Sequence, residues 1–383
     1  MKKIIRDFLI VFAAAIIPPL LIWLPFFLRI ESIWGIKLPQ NGMATIIANF
    51  DGPYYIVAAK SFYNPEEIVK FQFPLPNEYY ASHFPGFPLL IKFFSPVFGY
   101  PWAMMIVTLL TSMAALWFFY LLLKEIKLEK AALWLTIVFA VFPARWLIVR
   151  SVGSPEPLFV ASVLSCFYFL LKEKFWAAGL AGALAMATKS PGILLFIALF
   201  LSIVGPRIQD IFINPVKASI SILPKLVPLL LIPASAFGVF LLYAWQYGDF
   251  LAYFHSGDNI HLLFPPFQVF NTPQTWVGTF WLEEIIWIYL FCFFGLSQLI
   301  KNKSYSFAWF VGIFGISTLF VSHRDIARYI IPIVPFLLIA FADILKSKYF
   351  KWALVFLIIP IYLFSINFII GNVTPIADWT PLL

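Results

Sequence analysis

The sequence predicts an all-α, polytopic membrane bundle of about 11 transmembrane helices, and three observations predict it. Hydrophobic residues fill 62% of the 383 positions and charged residues only 11%, too few charges to cover a water-soluble chain of this size. Apolar runs recur along the whole length, and many approach the roughly 20 residues that cross about 30 Å of hydrocarbon. Lys and Arg gather in the short gaps on one side of these runs, the distribution of the positive-inside rule. The formal charge of +8 therefore reads as topology: membrane lipid is the expected surrounding, and nucleic acid is excluded as a partner.

The first run, residues 8–28, follows Lys2, Lys3 and Arg6. This basic start is that of a signal peptide, but the run is too long and no small-residue cleavage site closes it, so a retained first helix is expected. Further spans are expected at 101–123, 131–149, 153–171, 175–188, 191–204, 226–246, 281–300, 305–321, 327–345 and 352–370. With the N-terminus inside, the short basic gaps are cytoplasmic: Lys124, Lys127 and Lys130; Lys172 and Lys174; Arg207, Lys217 and Lys225; Lys301 and Lys303; Lys346, Lys348 and Lys351. Two long loops, 29–100 and 247–280, then lie outside, and the C-terminus is outside as well. Phe87 to Phe98 is only about a dozen residues long and holds Lys92 and Pro96, so it reads as an interfacial helix of the first outer loop. Pro191 and Gly192 divide 175–204 into two short helices whose outer tip is recessed. The whole chain, 1–383, is expected to be one integral-membrane domain, its two long loops roofing an outward cavity. Cys166 and Cys292 each sit inside an apolar run, which argues against a disulfide framework or a cysteine metal site.

The first polar stretch, NFDGPYYIVAAKSFY from Asn49 to Tyr63, places one carboxylate, Asp51, on the outer side. The outer tip PARWLIVRSVGSPEP carries Arg145, Arg150 and Glu156 near hydrocarbon depth, where charge is tolerated only along a wet, protein-walled cavity. An outward cavity of this kind suits transfer of a sugar from a polyprenyl phosphate. That reaction needs a base for the acceptor hydroxyl, and positive charge or a divalent cation for the departing phosphate. Asp51 is the candidate base; Lys189, Arg324 and Arg328 are the candidate phosphate ligands. Glu156, Asp249, His83, Tyr54 and Tyr329 are candidate substrate contacts. Each has a plainer reading: Asp51 as turn former or helix cap, Lys189 as a snorkelling lysine, and His83 and His323 as satisfied loop histidines. On the same footing Arg145 and Arg150 are interfacial anchors or partners of Glu156, and the tyrosines belong to the aromatic belt.

Five stretches in order resemble the polytopic glycosyltransferases of the GT-C class, most closely the GPI mannosyltransferase II (PIG-V)-like family and its prokaryotic relatives. FDGPYYIVAAKSFY is similar to the family's Trp-Asp-x-x-x-Tyr/Phe motif, and HFPGFPLLIKFFSPVFG to its Phe-Phe-Pro-x-x-Pro-Leu segment. SPEPLFVASVLSCFYFLLKEKFWAAGLAGALAMATKSPG resembles Glu-x-Leu-Phe running into Gly-Leu-Ala and Thr-Arg-x-x-Gly. LLYAWQYGDFLAYF resembles Tyr-x-x-x-Gly-Asp-x-x-x-Phe, and ARYIIPIVPFLLIAFAD resembles Arg-Tyr-x-x-Pro-x-x-Pro. The resemblance spans about residues 48–343. It implies a GT-C fold, a hexose (by family, mannose) carried on a polyprenyl phosphate, a lipid or glycan acceptor, Asp51 as the essential outer-loop base, and Arg328 on the donor phosphate. Glu156 and Asp249 match recurrent acids of the family. Phe50 stands where Trp is usual and Lys189 where Arg is usual, and no Asp-x-Asp pair is present, so metal dependence stays open. The compact loops point to a prokaryotic plasma membrane with the site outside, or to an ER membrane with a lumenal site in a eukaryote. A lipid-linked-sugar transporter or flippase competes, but the inverted repeat it should carry is not legible; a non-catalytic membrane assembly subunit is the third class.

Overall fold

In the computed structural model, residues 2–258, 262–271, 275–276 and 281–383 are described. Three parts of the loop expected to roof the cavity, 259–261, 272–274 and 277–280, therefore lie outside the described residues. The described residues are 76% helix and 2% strand; the strand is a small hairpin, Ser32–Ile33 against Ile36–Lys37, and the isolated bridges Asn49–Val373 and Leu262–Val321. Apolar runs become helices because a helix pairs all its backbone groups within its own segment, which hydrocarbon demands.

In chain order these are α1 (Lys2–Phe27), α2 (Gly52–Ser61), α3 (Gly86–Phe98), α4 (Tyr100–Glu125), α5 (Glu129–Val141) and α6 (Ala144–Val149). They continue with α7 (Glu156–Leu171), α8 (Phe175–Thr188), α9 (Gly192–Val204), α10 (Ile208–Ile213), α11 (Pro215–Leu226) and α12 (Leu231–Tyr247). The C-terminal part holds α13 (Trp281–Lys301), α14 (Tyr305–Thr318), α15 (Ile326–Tyr329), α16 (Val334–Ala340) and α17 (Lys348–Gly371). Among the described residues, six helical stretches are long and apolar enough to cross a membrane: Lys3–Phe27, Tyr100–Glu125, Gly192–Ile213, Pro215–Tyr247, Leu282–Lys301 and Lys348–Gly371. The chain thus has the character of a multi-pass membrane protein. Helix α3 has 13 residues, about 20 Å at 1.5 Å per residue, short of the hydrocarbon thickness.

Helices α4, α7, α8 and α12 form the middle of the bundle, each packed on the next, with α1 and α5 on one flank and α9, α13, α14 and α16 on the other. Apolar side chains cover the outside as well as filling the core. Phe93, Phe356 and Trp352 are 75%, 75% and 67% exposed, while Asp7, Asn49, Arg150 and Glu156 are buried. Water would reject that outer surface, and lipid accepts it. The recessed tip between α8 and α9 is tight: a Cβ at Gly192 would lie 2.5 Å from Met186 Cα, so only glycine lets the two helices turn there.

Prolines inside these helices leave carbonyls four residues earlier without a donor, and side chains fill the vacancies. In α1, Pro18, Pro19 and Pro25 orphan the carbonyls of Ala14, Ala15 and Leu21. Arg150 Nη2 donates to Ala14 O at 3.4 Å and to Ala15 O, and Tyr362 Oη donates to Leu21 O at 3.0 Å. Arg150 Nη1 donates to Ala140 O, where α5 runs out at Val141. Arg150 is therefore neither an interfacial anchor nor a partner of Glu156; it is fully buried and mends two broken helices.

Charged contacts gather at both ends of the bundle. At one end Lys172 pairs with Glu125 at 2.5 Å, Tyr120 donates to Asp7 at 2.7 Å, Trp134 Nε1 donates to Leu345 O, and Lys225 lies over the Phe175 ring. The residues Asp51, Glu156, Lys189 and Arg328 meet at the other.

Candidate functional site

The site begins with the loop that carries Asp51. Its backbone is clamped by the segment that follows α17: Phe50 N–H donates to Asn372 O, Thr374 N–H to Ala48 O, and Thr374 Oγ1 to Phe50 O. Asn49, wholly buried, donates from Nδ2 to Ile369 O at 2.6 Å. Phe50 is held with φ 49°, in the left-handed region, a conformation bulky residues adopt only when surrounding contacts impose it. The loop rests on α4 and the tip before α7: a Cβ at Gly52 would lie 3.3 Å from Met104 Cε and 3.6 Å from Gly153 O. Asp51 stands just before α2, yet its side chain makes no capping hydrogen bond. The plain cap reading is thus not what the carboxylate does: one third exposed, it faces Arg328 Nη1 at 3.7 Å.

Glu156, the first residue of α7, is the hub. It is 2% exposed; Oε1 accepts from Lys189 Nζ and Arg328 Nε, both at 2.7 Å, and Oε2 accepts from Ser154 Oγ. Burial at low dielectric makes such a charge tolerable only with partners, and here two cations share one carboxylate. Arg328 is fixed on a second side by aromatic stacking, its guanidinium 4.3 Å from the Phe50 ring centre. The contact continues: Phe50 meets Phe368 at 5.6 Å, and the Arg145 guanidinium lies over the Phe368 ring at 3.8 Å. Arg145 in turn pairs at 3.1 Å with Asp325, whose carbonyl accepts from Arg328 N–H. This Arg–Phe–Phe–Arg ladder ties α6, α15, α17 and the Asp51 loop into one unit. The aromatic before Asp51 is therefore the platform for Arg328.

Not every sequence candidate joins this group. Arg324 is exposed at the rim, in electrostatic reach of Arg145. Tyr329 packs on His323 at 5.3 Å, beside Arg328. Tyr54 is half-buried against Phe73 and Tyr79, and burial, reinforced by Asp51 and Asp258, raises its phenol above the usual value. Asp249 is bound elsewhere: its carboxylate accepts from Leu251 N–H and meets His255 Nδ1 at 2.6 Å. That hydrogen bond holds it below its ordinary carboxylate value.

His83 is buried under Tyr55, ring centres 4.7 Å apart, with Nδ1 at 2.8 Å from Ser82 Oγ. Burial, working against the fields of Asp51 and Asp258, holds its imidazole below the ordinary value of 6.5. The unfolded chain then binds the proton that the folded chain refuses, so stability is complete above about pH 6.5 and declines as pH falls toward the folded value. Thermal unfolding of the purified protein should move to lower temperature on acidification from pH 7.5 to 5.5, and His83→Gln should flatten that slope. An unchanged slope in the variant would assign acid sensitivity to another group.

Sequence reasoning missed Asp258. Its field acts with that of Asp51 on Tyr54, Tyr79 and His83. The hint was a polar island, HSGDN, between the apolar runs of the loop. Among the described residues no three His, Cys, Asp or Glu side chains gather into a metal-binding group.

Fold and site together define a class: a multi-pass helical membrane protein with a buried carboxylate–cation cluster at one end and an accessible aspartate beside it. No protein-family model matches the sequence, and no curated protein matches it.

Proposed function

We propose that this chain is a membrane glycosyltransferase that moves a hexose, by resemblance mannose, from a polyprenyl-phosphate donor to a lipid or glycan acceptor on the extracytoplasmic face. The observation that carries the reading is convergence: Asp51, Glu156, Lys189 and Arg328, more than a hundred residues apart at the widest steps of the sequence, meet at one end of the bundle with Asp51 exposed and Arg328 anchored beside it. In this mechanism Asp51 takes the proton from the acceptor hydroxyl, and the oxygen attacks the anomeric carbon. The bond from that carbon to the phosphate oxygen breaks, and its electron pair leaves with the lipid phosphate. Arg328, prealigned by Glu156 and Phe50, meets the developing negative charge, with Arg324 at the rim and Lys189 behind. One displacement inverts the anomeric centre.

The same reading takes eleven spans with the N-terminus inside. It is supported by the segregation of ends, since the basic gaps lie together at the end away from Asp51. A prokaryotic plasma membrane is the proposed location.

The test is transfer of radiolabelled mannose from polyprenyl-phosphate mannose to endogenous acceptors in membranes holding wild type or Asp51→Asn at equal protein level. Removing a general base should slow transfer by at least about a hundredfold. Transfer retained in the variant would take Asp51 out of the mechanism, and a wild type silent with mannose and other hexose donors would move a lipid-linked-sugar transporter ahead of the enzyme.

A further inference from the structure

Helices α10 and α11 lie at the end of the bundle opposite Asp51. Lys225, near the close of α11, sits over the ring of Phe175 at the start of α8, and α8 reaches the site only at its far end, with Lys189. The continuous helical stretch Pro215–Tyr247 has 33 residues, about 50 Å at 1.5 Å per residue, far more than the roughly 30 Å of hydrocarbon. Counted back from Tyr247, a span of about 20 residues ends near Pro228, and Pro224 and Pro228 permit a bend there. All of α11 is surplus to the crossing.

Its sequence divides the helix into three faces. At 100° per residue, Ala218 and Ile222 fall together, and these are the buried positions, packed on the protein. Val216, Ile220, Leu223 and, beyond the helix end, Val227 form a second stripe; they are 69%, 70%, 54% and 47% exposed. Lys217, Ser221 and Lys225 form the third, where Arg207 donates from Nη1 to Ser221 Oγ. The apolar stripe is extended by Phe212 and Ile213, each 83% exposed. A helix wholly in hydrocarbon has no reason to keep a lysine stripe, and a solvated loop has no reason to keep a row of exposed branched aliphatics. A helix lying in the interface needs both.

We infer that residues 208–226 form an in-plane membrane-interface element that seats Phe212, Ile213, Val216, Ile220 and Leu223 among acyl chains, and sets Arg207, Lys217 and Lys225 against anionic lipid headgroups. The occupant of this face is the bilayer itself. Three cations against the single Asp210 give the complementarity to an anionic surface, and each cation near such a surface is worth roughly a fivefold preference. The inference needs only the membrane character of the chain and stands apart from the catalytic reading.

The test uses the full chain with Cys166 and Cys292 replaced by alanine, one bimane-labelled cysteine at a time, in vesicles of phosphatidylcholine with 30% phosphatidylglycerol and no other protein. Lipids brominated in the acyl chain should quench labels at Ile220→Cys and Leu223→Cys, whereas aqueous iodide should quench the label at Ser221→Cys. At equal mole fraction, brominated phosphatidylglycerol should quench the label at 220 several-fold better than brominated phosphatidylcholine. Lys217→Gln with Lys225→Gln should bring that ratio to one. Iodide quenching at all three positions would overturn the inference and leave the stripe for a protein partner. Equal quenching by both lipids in the parent would overturn the anionic recognition. A native-like melting profile of each labelled protein excludes misfolding as the cause of either result.

Discussion

Glu156→Gln is expected to lose both stability and transfer activity. The substitution keeps the shape and the hydrogen-bonding oxygen but strands two cations, Lys189 and Arg328, that now share Glu156 Oε1 at 2.7 Å each. Removing one partner from a buried ion pair costs about 3–5 kcal/mol. The lower end applies here, because the Lys189 side chain is 30% exposed and water takes up part of the loss. Arg328 has no such recourse at 17%, and it keeps only Phe50 and the more distant Asp51. A double variant separates the two consequences: Arg328→Gln added to Glu156→Gln removes the more deeply buried stranded charge and should recover most of the stability, without restoring transfer. Equilibrium unfolding in detergent, read beside the transfer assay, checks both. A Glu156→Gln protein as stable as the parent would show that the cluster is not what holds this end of the bundle together.

Arg150→Met is the second large effect, and it lies outside the site. Three carbonyls, of Ala14, Ala15 and Ala140, lose their donor in a place no water reaches. An unsatisfied buried acceptor costs about 1–3 kcal/mol, hence roughly 3–9 kcal/mol for three. Relief from burying a guanidinium with no carboxylate beside it offsets several kcal/mol of this. The net expectation is a loss of about 3 kcal/mol, seen as a lowered melting temperature and poor accumulation in membranes. The cause is tested by repair: Pro18→Ala with Pro19→Ala returns two backbone donors to α1 and should recover a large part of the loss in the Arg150→Met background. No recovery would mean that Arg150 stabilises the bundle by some contact other than the carbonyls of α1.

The helical, membrane-embedded character of the chain was legible because it depends on local properties. Apolar length and the punctuation by Pro and Gly need no partner to be read, so the break at Lys189–Gly192 and the short α3 stand where the pattern put them. Asp51, Glu156, Lys189 and Arg328 were also legible, since a charge near hydrocarbon depth is costly wherever the chain carries it. What each of them touches was not. The sequence spacing of Arg145, Arg150 and Glu156 suggested neighbours, yet the helix between them turns Arg150 toward α1 and Arg145 toward Asp325 and Phe368. Phe368, Asn372 and Thr374 looked like the end of a span and its tail, and they are the clamp on the Asp51 loop.

Pairing of buried charges and of proline-orphaned carbonyls is a contact between segments that lie far apart in the chain, and a one-dimensional pattern carries no distance between them. Composition and periodicity alone determined that this protein is helical and where most of its helices lie. The expected spans 131–149 and 327–345 are broken, the first between Val141 and Ala144 and the second into the short pieces Ile326–Tyr329, Ile331–Ile333, Val334–Ala340 and Ala342–Leu345. Only the tertiary structure decided which cation meets Glu156 and which repairs a helix, because that choice is made by the burial geometry that sets each cation beside its partner.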